Sequence, residues 1–179
     1  MTQIASVYAE ALYTLAKEEG LDKVILGELK PLDISFRQEP DFLRLLGAPN
    51  LTKEERCAVL DKCFRGKVQP YTLNFMKLLT EKGYMRHFAA CCEAYRDLYN
   101  RDNGILPVNA VTAVPLSADQ TARLTAKLAR LTGKTIELTN KVDPACLGGV
   151  RLDYDGKRVD DTVAHRLEDV RNLLKNTVL

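Results

Sequence analysis

The sequence predicts a mainly α-helical chain with a small α/β part: an N-terminal six-helix bundle over residues 1–104, then a C-terminal α/β domain over 105–179. Three observations carry this. Apolar residues recur at helical spacing, punctuated by Gly and polar turns, as far as Gly104. Beyond Gly104 the period shortens toward two, the spacing of half-buried strands. The connections in the first part are short and polar, which packs successive helices antiparallel against one another.

The first helix runs from about Thr2 to Glu19 and stops at Gly20, a residue suited to a helix C-terminus. The second covers about Leu21 to Gln38. It contains Pro31, so a kink or a break is expected near Lys30. A short third helix spans about Pro40 to Leu46 and ends at Gly47. Thr52-Lys53-Glu54-Glu55 has the form of a capping box and opens a fourth helix, to about Phe64. Pro70 opens the fifth, which ends at Gly83, and the sixth runs from about Met85 to Asn103.

Leu106 to Val114 is rich in Val and Ala without helical spacing and reads as a strand. Ser117-Ala118-Asp119-Gln120 is a second capping box, opening a helix that Gly133 closes after about Thr132. Ile136, Leu138 and Val142 alternate with polar residues, as do Val150, Leu152 and Tyr154. Asp155-Gly156 is a strong hairpin signal, so Lys157 to Asp160 should return as a strand. A last helix starts near Asp161 and puts Val163, Leu167, Val170 and Leu174 on one stripe.

Composition narrows the function classes. Lys plus Arg is 26 and Asp plus Glu is 24, a net charge of +2, and Trp is absent. A nucleic-acid binder usually needs a basic stripe or stacking aromatics, so no nucleic-acid partner is expected. Apolar residues make up 46%, enough for a packed core, and no stretch has the roughly 18 apolar residues of a membrane span. A soluble, folded chain without direct membrane insertion is expected, and the N-terminus shows neither a secretory nor a transit-peptide pattern. The five cysteines form no CxxC pair, so reduced thiols are expected; Cys91 and Cys92 read as small buried helix residues.

Catalytic constellations are missing from the pattern. His87 and His165 lie in separate regions without metal-ligand spacing, and none of the three serines sits in a GxSxG setting. Gly148-Gly149 leads into a strand rather than a helix, which favours a bend or a close backbone approach over a phosphate loop. Asp160 and Asp161 are explained as caps of the last helix. No enzyme, cofactor, metal or small-molecule substrate is expected.

The informative element is the first helix. Between Ile4 and Ala16, Ser6, Glu10 and Thr14 form one narrow polar stripe, and apolar residues fill about 200° of the wheel. A surface helix needs only somewhat more than about 100° to reach its core. Either this helix is buried on two sides within its bundle, or one side is kept for a partner helix. The fifth helix has a similar excess, with Tyr71, Phe75, Leu78 and Leu79 on one arc and Leu73 and Met76 beyond it.

Tyr8-Ala9-Glu10-Ala11-Leu12, Asn74-Phe75 with Leu78-Leu79 and Gly83, and Val142-Asp143-Pro144 through Leu174 carry a family resemblance. The last stretch includes Leu147-Gly148-Gly149-Val150, Val159-Asp160 and Arg166-Leu167-Glu168. Together they resemble the delta subunit of bacterial F-type ATP synthase, related to the mitochondrial oligomycin-sensitivity-conferring protein, in order and over the whole chain. The resemblance implies a non-catalytic peripheral-stalk subunit of a proton-translocating enzyme, one copy per complex, on the cytoplasmic face of the bacterial cell membrane. It implies a six-helix bundle that takes the N-terminal helix of an alpha subunit between its first and fifth helices. By position, Tyr8, Ala11, Leu12 and Leu15 would form one wall, and Asn74, Phe75, Leu78 and Leu79 the other. The C-terminal domain would bind the C-terminal ends of the b subunits. Val163, Leu167, Val170 and Leu174 serve either that contact or the domain's own sheet, while Gly148, Gly149 and Asp160 are structural motif residues. Two departures stand out: the family usually reads Asp-Gly-Ser where this chain has Asp160-Asp161-Thr162, and Gly-Arg where it has Gly83-Tyr84-Met85-Arg86. The competing classes are an RNA-binding α/β module and a thiol enzyme built on Cys91.

Overall fold

The computed structural model describes residues 3–48 and 51–168. The chain is mainly helical with one small sheet, and it divides into two compact units, Met1–Tyr99 and Asn100–Leu179.

The first unit holds α1 (Gln3–Glu18), α2 (Asp22–Gln38), α3 (Pro40–Leu46), α4 (Lys53–Phe64), α5 (Pro70–Glu81), a 3-10 turn (Met85–His87) and most of α6 (Phe88–Asp102). Thr2, where the first helix was expected to begin, lies outside the described residues. The Thr52 capping box forms as read: Thr52 Oγ1 accepts from the Glu55 N–H, and the Glu55 carboxylate accepts from the Thr52 N–H at 2.8 Å.

Of the kink or break expected near Lys30, the break does not occur: α2 continues through Pro31. Pro31 withholds the N–H that would reach the Gly27 carbonyl four residues back. Gly27 is exposed, so water can satisfy that oxygen. A helix-interior proline costs about 3 kcal/mol. Ile25, Leu29, Leu32 and Phe36 are all buried on the opposite side, each worth about 1.5–3 kcal/mol. Burial on both sides of Pro31 therefore outweighs its cost.

The core of this unit is one continuous cluster that joins Ile25, Leu29, Leu32 and Phe36 of α2 with Phe75, Met76 and Leu79 of α5 and Phe88, Cys91 and Tyr95 of α6. The Phe36 ring lies 4.9 Å from Phe88 and 5.6 Å from Phe42, edge-on and stacked respectively. The Tyr95 hydroxyl, buried at its base, donates to the Asp22 carbonyl oxygen at 3.0 Å.

The second unit contains β1 (Ile105–Thr112), α7 (Ala118–Thr132), β2 (Thr135–Val142), a 3-10 turn (Pro144–Cys146), β3 (Val150–Tyr154) and β4 (Lys157–Asp160). The sheet order is β2-β1-β3-β4. β1 pairs parallel with β2, Leu106 beside Ile136, across the α7 crossover; β3 and β4 add antiparallel, with Leu152 beside Val159. The Ser117 capping box opens α7, and Gly133 closes it at φ +67°. Leu106, Val108 and Ile136 are buried on one face of the sheet, against partly buried Leu128 and Ala129 of α7. Asn140 ties the crossover down: its amide nitrogen donates to the Ala110 carbonyl (3.0 Å) and Thr112 Oγ1 (2.9 Å), and its oxygen accepts from the Leu116 N–H (3.0 Å). Residues 163–168 are helical, the start of the expected last helix.

Candidate functional site

The core side of α1 is Ala5, Ala9, Leu12, Tyr13 and Ala16, all buried. These residues use only part of the apolar surface of the helix. On another side Val7, Ala11 and Leu15 follow one another at intervals of four; Ala11 is exposed, Val7 is 59% exposed and Leu15 39%. Among the described residues of the helical unit, this second apolar side of α1 is not covered, which favours the reading of one side kept for a partner helix over burial on two sides.

On α5, which packs against α1, burial takes Thr72, Leu73, Phe75, Met76, Leu79 and Thr80. Asn74 and Leu78, again four apart, remain exposed, Leu78 by 40%. Most of the apolar excess of α5 is therefore core. Tyr8 is half-buried, with its ring edge-on to Tyr84 at 5.9 Å, just beyond the end of α5.

The eight positions assigned to the two walls thus divide. Tyr8, Ala11, Leu15, Asn74 and Leu78 reach the surface, while Leu12, Phe75 and Leu79 lie in the core beneath and cannot touch a partner directly. These last three belong to the buried cluster of the helical unit. Val7, which those positions omit, is a large apolar residue of α1 more exposed than Leu15. Its place four residues before Ala11 and eight before Leu15 was the available signal.

In the second unit, Val163 and Leu167 are exposed, and Val170 and Leu174 lie outside the described residues. Gly149 has φ +80°, and a Cβ there would run into the Asp161 carbonyl oxygen and come within 3.0 Å of the Thr162 Cα. This is the close backbone approach expected of Gly148-Gly149. Gly148 faces Val163, whose Cγ2 would stand 3.3 Å from an added Cβ. Asp160 Oδ1 accepts from the Thr162 N–H (3.0 Å) and hydroxyl (2.7 Å), and Thr162 Oγ1 accepts from the His165 N–H (3.2 Å). The helix cap is therefore Thr162, braced by Asp160, and those bonds hold the Asp160 carboxyl below its usual range. Asp161 is not in the left-handed region and pairs with Arg166, so this turn does not require the family's glycine.

Reactive chemistry finds no support at the cysteines. Cys91 and Cys92 are buried as expected, and burial pushes the Cys91 thiol up to about 11 and Cys92 higher still. A nucleophilic cysteine needs the opposite shift. Among the described residues no group of three or more His, Cys, Asp or Glu side chains is gathered to hold a metal ion.

A helical unit that leaves an ordered row of apolar side chains uncovered, joined to a small α/β unit closed by backbone devices, has the build of a docking subunit. The chain belongs to the ATP synthase delta (OSCP) subunit family, whose pattern matches residues 4–174. It is 31% identical over 176 residues to the ATP synthase subunit delta of Clostridioides difficile, covering 98% of this chain and 97% of the relative. The subunit delta of Lysinibacillus sphaericus is 30% identical over 172 residues, 96% of each chain. A chain in the cryo-EM structure of the Toxoplasma gondii mitochondrial ATP synthase hexamer shares the fold, with TM-score 0.74 at 22% identity over 97% of this chain and 98% of that one. The protein is a non-catalytic peripheral-stalk component of an F-type ATP synthase. The RNA-binding alternative is not supported by these relatives. Among the described residues no helix is long and apolar enough to cross a membrane, as suits a peripheral subunit of that complex.

Proposed function

We propose that the helical unit, acting as a six-helix bundle over residues 1–104, receives the N-terminal helix of an alpha subunit along the α1–α5 surface. The observation that supports this is the paired exposure of Val7, Ala11 and Leu15 on α1 with Asn74 and Leu78 on contacting α5. An amphipathic helix seats its own i, i+3, i+4 apolar stripe against two such rows. Tyr8 borders the row as an aromatic anchor, and buried Leu12, Phe75 and Leu79 hold the floor. Each fully buried Leu or Val adds about 1.5–3 kcal/mol, so a few on each side give slow dissociation.

The α/β domain, residues 105–179, takes the C-terminal ends of the b subunits. Val163 and Leu167 are the described part of that contact, which Val170 and Leu174 would extend. With one copy per complex on the cytoplasmic face of the membrane, the chain links the catalytic head to stalk subunits rising from the membrane. Rotation of the central shaft drags on the head. A link at both ends resists that torque, so that proton flow is coupled to ATP synthesis.

The test is calorimetric titration of the full chain with a synthetic peptide of the cognate alpha subunit's N-terminal residues. Leu78→Asp or Tyr8→Asp, with unchanged circular dichroism, should weaken binding by on the order of 30-fold or more. Unchanged affinity in a folded variant contradicts the reading.

A further inference from the structure

We propose that Glu28 of α2 is a positioning residue for this docking surface, holding α5 at the rotation and axial register that present Asn74 and Leu78. The proposal rests on the docking reading above.

α5 begins without a cap of its own: Gln69 stands at the N-cap with no side-chain bond to the helix, and Pro70 has no N–H. Glu28 supplies the cap from another helix. Its Oε1 accepts from the Gln69 N–H at 2.9 Å, and its Oε2 accepts from the Thr72 hydroxyl at 2.6 Å. The Thr72 side chain is fully buried, so its hydroxyl depends on this carboxylate. A negative charge at a helix N-terminus also complements the helix dipole.

Apolar packing alone leaves α5 underdetermined. Leu73, Phe75, Met76 and Leu79 fix how deeply it sits, but burial is non-directional and tolerates sliding and rotation. Hydrogen bonds are directional. Two oxygens of one carboxylate gripping a backbone N–H and a hydroxyl three residues on fix both degrees of freedom. Asn74 lies two residues past Thr72, and Leu78 six. The Lys77–Asp61 ion pair to α4, at 2.7 Å, sits between them but is partly solvated and joins two flexible ends. It is the weaker constraint.

The test compares full-length wild type, Glu28→Ala, Thr72→Val and Asp61→Asn by titration with the same alpha-subunit peptide, well below each variant's Tm. Glu28→Ala removes both acceptor oxygens from the Gln69 N–H and the Thr72 hydroxyl. Glu28→Gln would not do so, because its oxygen can still accept from the N–H and its NH2 can donate to the hydroxyl. Thr72→Val keeps the shape and charge but removes the hydroxyl. Expected is a loss of affinity of about 3- to 30-fold for Glu28→Ala, mostly as faster dissociation, and a smaller loss for Thr72→Val. Asp61→Asn should change affinity by less than about twofold. A merely structural role would lower Tm and leave the affinity of the folded protein unchanged. Glu28→Ala that folds and binds within about twofold of wild type overturns the proposal. If Glu28→Ala fails to fold, Thr72→Val decides in the same way. A wild-type chain that does not bind the peptide overturns the docking reading, and this inference with it.

Discussion

The two units solve the problem of being one subunit with different means. The helical unit has a deep, continuous core drawn from all six helices and still leaves apolar side chains over. In the α/β unit the buried apolar cluster, among the described residues, is Leu106, Val108 and Ile136. Beside it stand local backbone devices: two caps, the Asn140 bridge, the Gly149 approach and the Asp160–Thr162 brace. Where a core is deep, surplus apolar surface can be spared for a partner. Among the described residues of the α/β unit, single polar and glycine positions carry much of the local order.

The sharpest way to break this contrast is Gly149→Ala. A methyl group there collides with the Asp161 backbone at a φ that L residues rarely adopt. We expect a loss of about 3 kcal/mol or more, confined to the second unit. Hydrogen exchange should show the amides of β1–β4 losing protection while those of α2 and α5 keep theirs; equal loss in both would mean the units do not differ in this way.

Next is Leu29→Ala, a buried truncation in the helical core, expected to cost about 2–5 kcal/mol by denaturant unfolding. Val7→Ala, on the uncovered side of the same core, should change stability by less than about 0.5 kcal/mol. Comparable losses would place Val7 in the fold rather than at the proposed docking face. Asn140→Ala removes three hydrogen bonds that hold the α7 crossover and should cost about 1–3 kcal/mol, visible in the melting of the second unit.

The smallest effect is acid sensitivity. Bonds from the Thr162 hydroxyl and N–H lower the folded-state pKa of Asp160. Its contribution is therefore complete above the ordinary carboxylate value of about 4 and lost as pH falls through the lower folded value. Melting of the second unit between pH 7 and pH 3 should show this slope, and Asp160→Asn should flatten it.

The local devices were legible in the sequence because each is written in three or four adjacent residues. Thr52 with Glu55, Ser117 with Gln120, Asp155-Gly156 and Gly133 all act where the pattern puts them. That Pro31 does not end α2 was not legible, because it depends on burial of Ile25, Leu29, Leu32 and Phe36 by other helices, which no local pattern shows. The uncovered apolar side of α1 was half legible. An apolar excess on α1 is visible on the wheel, but which apolar side faces the core depends on the neighbouring helices, so Leu12, Phe75 and Leu79 could not be separated from Leu15 and Leu78 in advance. The Glu28 grip was not legible, since it joins residues 41 and 44 positions apart.

The central claim, that α1 and α5 leave one particular apolar surface for a partner, has a direct internal control. Val24 on α2 is 45% exposed and Leu78 on α5 is 40%, so exposure alone does not distinguish them. The decisive measurement is binding of full-length Val24→Asp and Leu78→Asp to the isolated catalytic head. Wild-type affinity is expected for Val24→Asp and loss of binding for Leu78→Asp, both with unchanged circular dichroism. Retained binding by Leu78→Asp, or equal loss by both, would contradict it.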